Sequence, residues 1–277
     1  MTTPQPPQHS AAPAWQAAPG MSYNSPIPVT RTHLGHAITS EWTKIKSVRS
    51  TMWTLGVFLL LVIGIGFLVA VNTSDTDYGD VPYTIPAFFG LILGQICLIT
   101  LGVLVIASEY GTGMIRTTFT ASPLRHRVLA AKFIIYFAVA FVVSAAAIAL
   151  VGLITQSMHG GAGVPWGGTV LKGALYVSLL GVLSLAVGAM LRHSAGAITT
   201  MMGVVLVPAI LPAFLMMSES LQEVGQAMQE YAAPNALAYI FAIDSGSGGG
   251  TKQLGLLAGI TLAAVAGAFV LLERRDV

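Results

Sequence analysis

From residue 52 onward the chain alternates between long apolar blocks and short polar connectors. The blocks cover 52–71, 85–107, 132–155, 170–191, 196–217 and 254–272. Each has roughly the 20 residues that a helix needs to cross a hydrocarbon layer ~30 Å thick. The pattern therefore predicts an all-α polytopic membrane protein with six transmembrane helices. Pro208 and Pro212 fall inside the fifth block and are expected to kink it. Neighbouring helices can take up the freed carbonyls, so the prolines do not argue against a span.

Ahead of the first block the period changes. Leu34, Ala37, Ile38, Trp42, Ile45, Val48 and Met52 recur at steps of three or four, with Thr39, Ser40, Thr43, Lys44 and Ser47 largely opposite. An amphipathic helix over 34–50, with a tryptophan and several cations, suits the headgroup plane of a bilayer. Glu41 and Arg49 fall near the edges of its apolar face. They are candidates for contact with another protein surface, against the alternative of ordinary solvation. Residues 1–33 hold seven prolines and few aliphatic residues, the composition of a disordered tail. They lack the apolar centre of a signal peptide, so no cleavage is expected.

Between the fifth and sixth blocks, 218–250 reads as an outer helical segment. Ser220 and Glu223 have capping-box spacing, and Leu221, Val224, Met228 and Tyr231 follow at helical steps. The run "APNALAYIFAI" is too short to cross and reads as re-entrant or interfacial. The glycine-rich "SGSGGG" is a flexible connector to the last span.

The connector 108–131, "SEYGTGMIRTTFTASPLRHRVLAA", is patterned beyond what a loop requires. Gly111 and Gly113 interrupt the helix that leaves the second block. Met114, Ile115, Thr118 and Phe119 then share one face of a short helix, while Arg116, Thr117 and Thr120 face elsewhere. Ser122 and Pro123 restart the chain as N-cap and first helical residue. A separate capped helix with an apolar face is expected to act as a docking knob. The plainer reading is a positively charged loop that only sets topology, and the two are compatible.

Charge assigns sides. One face of the predicted membrane carries eleven of the thirteen Lys and Arg residues and four acidic residues; the other carries Lys172, Lys252 and seven acidic residues. The basic side is expected to be cytoplasmic, with both termini inside. Composition agrees with a membrane protein: 55% of the 277 residues are apolar, 9% are charged, and mean hydropathy is +0.77.

Several chemistries lack their residues. The spans carry no Asp, Glu, Arg or His in their interiors, which disfavours ion-coupled transport. Gln95 and Asn72 are the most polar side chains at or near them. Cys97 is the sole cysteine, and the six histidines are scattered, with His33 and His36 a weak metal signal. A phosphate-binding loop needs Gly before Lys. The five lysines instead follow Thr43, Ile45, Ala131, Leu171 and Thr251. Neither a metalloprotease His–Glu spacing nor a nucleophile elbow is present. The chain is expected not to be an enzyme, to hold no metal or cofactor of its own, and to bind no nucleic acid.

The amphipathic "EWTKIKSVRSTMWTL", the connector "SEYGTGMIRTTFTASPLRHRVLAAK", the "PNALAYI" before the last span and the closing "LLERRDV" together resemble the type-2 ABC transporter permeases, a six-span class of bacterial exporters, over roughly 34–277. The resemblance implies a bacterial cytoplasmic-membrane permease for a drug, antibiotic or lipid-like cargo. It would dimerise with a second permease chain, itself or a paralogue, and work with two copies of a separate ABC ATPase that bind ATP and magnesium. By position, 109–122 would be the coupling helix on the ATPase, with Glu109, Tyr110, Gly111, Gly113, Met114, Ile115, Arg116, Phe119, Ser122 and Pro123 in the contact. The interfacial helix would contribute Glu41, Trp42, Lys44 and Arg49. The alternative is a non-transporting scaffold or sensor subunit of a cell-envelope signalling system.

Overall fold

The apolar blocks fold as helices that outrun the blocks themselves. The computed structural model describes residues 33–75, 81–121, 124–159, 166–243 and 249–274. Its helices are α1 (Leu34–Ser47), α2 (Arg49–Asn72), α3 (Ile85–Gly111), α4 (Met114–Ala121), α5 (Arg125–His159), α6 (Gly167–Leu191), α7 (Ser194–Leu215), α8 (Gln222–Tyr231), α9 (Ala233–Ile240) and α10 (Thr251–Arg274). There is no strand among the described residues. Six helices, α2, α3, α5, α6, α7 and α10, are long and apolar enough to cross a membrane, the mark of a multi-pass membrane protein. The proline-rich residues 1–32, Ser122, Pro123, most of the glycine-rich connector and the last three residues lie outside the described residues.

A helix keeps its backbone hydrogen bonds when it leaves the bilayer, so it continues until a residue stops it. At about 1.5 Å per residue, the 35 residues of α5 span some 52 Å, well beyond the hydrocarbon layer. Its first turns carry Arg125 and Arg127. At the same end α3 runs past its apolar block through Ser108, Glu109 and Tyr110, and Gly113 then takes φ +72°, a conformation that costs glycine little.

The bundle is built around α3 and α6. Of their most apolar stretches 56% and 67% are buried, against 17% for α7 and α10. In lipid no hydrophobic force draws helices together, so close backbone approach must supply the contact. Glycine permits it. A Cβ on Gly90 would lie 2.6 Å from the Val62 Cα and 2.7 Å from its carbonyl oxygen, and one on Gly102 would lie 2.5 Å from the carbonyl oxygen of Gly181. Near Gly181 the buried Tyr136 hydroxyl of α5 donates to the Leu98 carbonyl of α3 at 2.6 Å. Pro208 and Pro212 sit within α7, which continues through both.

At the end remote from Glu109, the Ser220–Glu223 capping box does not form. A 3-10 turn over Glu219–Leu221 precedes α8, and Leu221 occupies its N-cap without a side-chain bond. That turn places Ser220 one residue early, and its hydroxyl pairs with Ser218 at 3.0 Å instead. The run after Pro234 becomes the eight-residue α9, seated on α3 and α6 with Ala236, Leu237, Ile240 and Phe241 buried.

Candidate functional site

The basic end of the bundle gathers the ends of α3 and α5 with α1 and α4. Val48, in extended conformation, separates α1 from α2, which lets α1 swing against the start of α5. Four charged side chains meet there. Lys132 Nζ donates to Glu41 Oε2 and to Glu109 Oε1, both at 2.7 Å. Lys44 Nζ donates to Glu41 Oε1 at 2.7 Å and to Glu109 Oε1 at 2.9 Å. The result is a closed ring of alternating charge that ties α1, α3 and α5 together. Glu41, Glu109 and Lys132 are buried, and the Lys44 side chain is 28% exposed. Burial pulls the Lys44 ammonium down, but the two carboxylates outweigh it and hold its pKa above the ordinary 10.5.

This arrangement revises the expected role of several residues. Glu41 and Glu109 do not face outward as docking groups. Each is spent on cations of its own chain, because a buried carboxylate must be paired. The apolar stripe of α1 is also rotated from its expected position. Glu41 and Ile45 are buried, whereas Trp42 is 45% and Val48 44% exposed. The ion ring, rather than the tryptophan, seats the helix. Lys46 lies 5.7 Å over the Trp42 ring, and Arg49 is exposed. Lys132, counted above only for topology, is the cation that joins α5 to both glutamates. Its signal was the acid at the end of the second block, which needed a partner.

On α4 the apolar face turns inward. Ile115 is buried, and with Phe119 it lies against Ile106, Tyr110, Val128, Leu129 and Leu272 from the ends of α3, α5 and α10. Arg125 caps the Phe119 ring at 5.5 Å, and Arg192 stacks on Tyr110 at 5.0 Å. Gly111, Gly113, Met114, Arg116, Thr117 and Thr120 are left exposed. The face available to a partner is thus the polar one plus Met114, and Ile115 and Phe119 are its anchors. Ser122 and Pro123 lie outside the described residues.

A cavity of about 160 Å³ opens beside the ion ring, between α1, α2, α3 and α4. Glu109 Oε2 is buried and has no hydrogen-bond partner among the described residues. At the bundle's other end His159 bonds the carbonyls of Thr155 and Thr73, both at 2.8 Å, joining α5 to the end of α2. His33 and His36 stack at 3.8 Å. Among the described residues no three His, Cys, Asp or Glu side chains come together as metal ligands. Compared with models of known protein families the chain matches none, and no curated protein matches it.

Proposed function

We propose that the chain is the membrane subunit of an ATP-driven exporter of the type-2 ABC class, moved by a separate ATPase. The observation that carries this reading is the seating of α4. It is a separate helix at the basic end, with Met114 and Arg116 exposed, Ile115 buried and Phe119 half-buried beside side chains of α3, α5 and α10. A push on α4 would reach three spans at once, and the ion ring would carry α1 with them. Side chains pack too densely to deform smoothly, so such a displacement passes on as a rigid-body shift. In this reading the basic end is cytoplasmic, as the lysine and arginine bias favours. The chain pairs with a second permease chain, and α7 and α10, the least buried spans, supply surface for that pairing or for lipid.

The test is to purify the full chain from its native membrane, ask whether a P-loop ATPase accompanies it, and reconstitute the two. The ATPase is expected to co-purify with the full chain. The double variant Met114→Glu, Arg116→Glu should lower the hydrolysis rate of the complex at least about tenfold, the effect of ~1.4 kcal/mol lost from one productive contact. An ATPase that binds and turns over equally well with that variant would refute docking through α4. Co-purification with a signalling protein and no ATPase would favour the scaffold or sensor reading.

A further inference from the structure

The ion ring leaves one strong acceptor unused. Both ammoniums that reach Glu109 bond its Oε1, and Oε2 has no partner among the described residues although the residue is 3% exposed. Buried carboxylate oxygens are normally satisfied by protein, water or a bound donor. The cavity beside it, about 160 Å³ and lined by Glu109, has room for a small polar headgroup, since a water's share of liquid is about 30 Å³.

The lining defines the chemistry of an occupant. Two carboxylates and two ammoniums cancel, so the ring favours neither a net anion nor a net cation. It favours a dipolar group with a donor at the buried Glu109 and an acceptor at the half-open Lys44. Thr51 adds a hydroxyl to the lining, and Leu101, Leu104 and Val105 form an apolar wall that runs into the spanning part of α3. The cavity therefore lies where apolar helix gives way to charge, the level of lipid headgroups. The exposed Trp42 with Lys46 above it, on the adjoining α1, has the character of an interfacial anchor.

We propose that this cavity is a binding site for a primary-amine zwitterion, the phosphoethanolamine headgroup. The terminal torsion of a glutamate is broad, so a small turn of the Glu109 carboxylate presents Oε2 to the cavity. There the ligand ammonium donates to it. The phosphate accepts from Lys44 Nζ and the Thr51 hydroxyl, and the acyl chains leave along Leu104 and Val105. A trimethylammonium head has no N–H and cannot satisfy the oxygen. The hydroxyls of an anionic glycerol head can donate to that oxygen but bring no positive charge to the carboxylate, so they make the weaker, neutral bond and add a net negative charge beside the balanced ring. The inference does not depend on the exporter reading.

The experiment uses the full chain, purified in detergent and delipidated. Its Tm is followed with added phosphatidylethanolamine, phosphatidylcholine, phosphatidylglycerol or soluble phosphoethanolamine. Phosphatidylethanolamine is expected to raise Tm by about 4 °C or more, with the choline and glycerol lipids giving no comparable shift. An equal shift from soluble phosphoethanolamine would support the same site filled from solution, whereas a shift from the lipid alone assigns it to the bilayer. Leu104→Trp fills the lipid-side wall without touching the ion ring, and the lipid shift, read against that variant's own lipid-free Tm, should vanish. Should the variant not fold, native mass spectrometry of the unaltered chain is the second readout, with phosphatidylethanolamine retained in preference to phosphatidylcholine. Equal stabilisation by the choline lipid, equal retention of both, or a shift that survives Leu104→Trp would overturn the proposal.

Discussion

Lys132 is the residue on which the basic end turns. It is almost fully buried, it contacts both glutamates, and Lys44 alone cannot replace it because Lys44 sits at the solvent edge of the ring. Removing one partner from a buried ionic group strands the others, at a cost of about 3–5 kcal/mol. Lys132→Met is therefore expected to lower thermal stability in detergent sharply. Adding Glu41→Gln to the same chain removes one stranded charge and should recover part of the loss, which a double-mutant cycle of melting temperatures would measure. Two independent, additive losses would show that the ring does not act as a unit. The sequence already marked Glu41 as a charge at the edge of an apolar face and therefore in need of a partner. It did not indicate that the partner lies 91 positions away in the same chain.

At the scale of elements, the close contacts between helices rest on single glycines. Gly90 brings α3 onto the backbone of Val62 in α2, where no side chain can move aside to admit a Cβ. Gly90→Val should separate the two helices and cost about 1–3 kcal/mol or more, the range for overpacked cores. Gly64→Val, at a position open to its surroundings, is the control and should change melting little; equal melting of the two variants would refute the contact. Much of the element map was legible beforehand. The apolar blocks became six helices long and apolar enough to cross a membrane, the glycines after the second block end α3, and a separate short helix follows. The apolar face of α4 was legible as a pattern but not in its use. Periodicity reports that a face is covered, and only packing shows that Ile115 is buried and Phe119 half-buried beside the chain's own α3, α5 and α10. The capping box failed for a local reason, since a 3-10 turn displaced Ser220 from the position that the spacing assumed.

For the whole molecule, three candidate crossings, α5, α6 and α7, lie between Arg116 and Glu219, and an odd number would put the two residues on opposite sides of the membrane. Both are exposed. In a Cys97→Ala background, a membrane-impermeant maleimide added to intact cells is expected to label a chain carrying Glu219→Cys and to spare one carrying Arg116→Cys until the cells are opened. Labelling of both from outside would refute the orientation taken from the charge bias. The poor burial of α7 and α10 belongs to this scale too. Nothing in their composition separates them from α3 and α6, because lipid and protein neighbours are equally apolar.

Composition and period were enough to mark a multi-pass membrane protein with six candidate spans and a structured basic end, because the bilayer imposes a length and a polarity on every crossing segment. The arrangement of that end belongs to the tertiary structure. Lys44 and Glu109 stand 65 positions apart, and Glu41 and Lys132 stand 91 apart. Each is an ordinary interfacial charge until α1 folds back against α5 and α3 ends beside it. A local pattern carries no record of such a meeting, since ion pairing depends on distance in space. The ring, the oxygen it leaves unused and the cavity beside that oxygen exist only once the helices have packed.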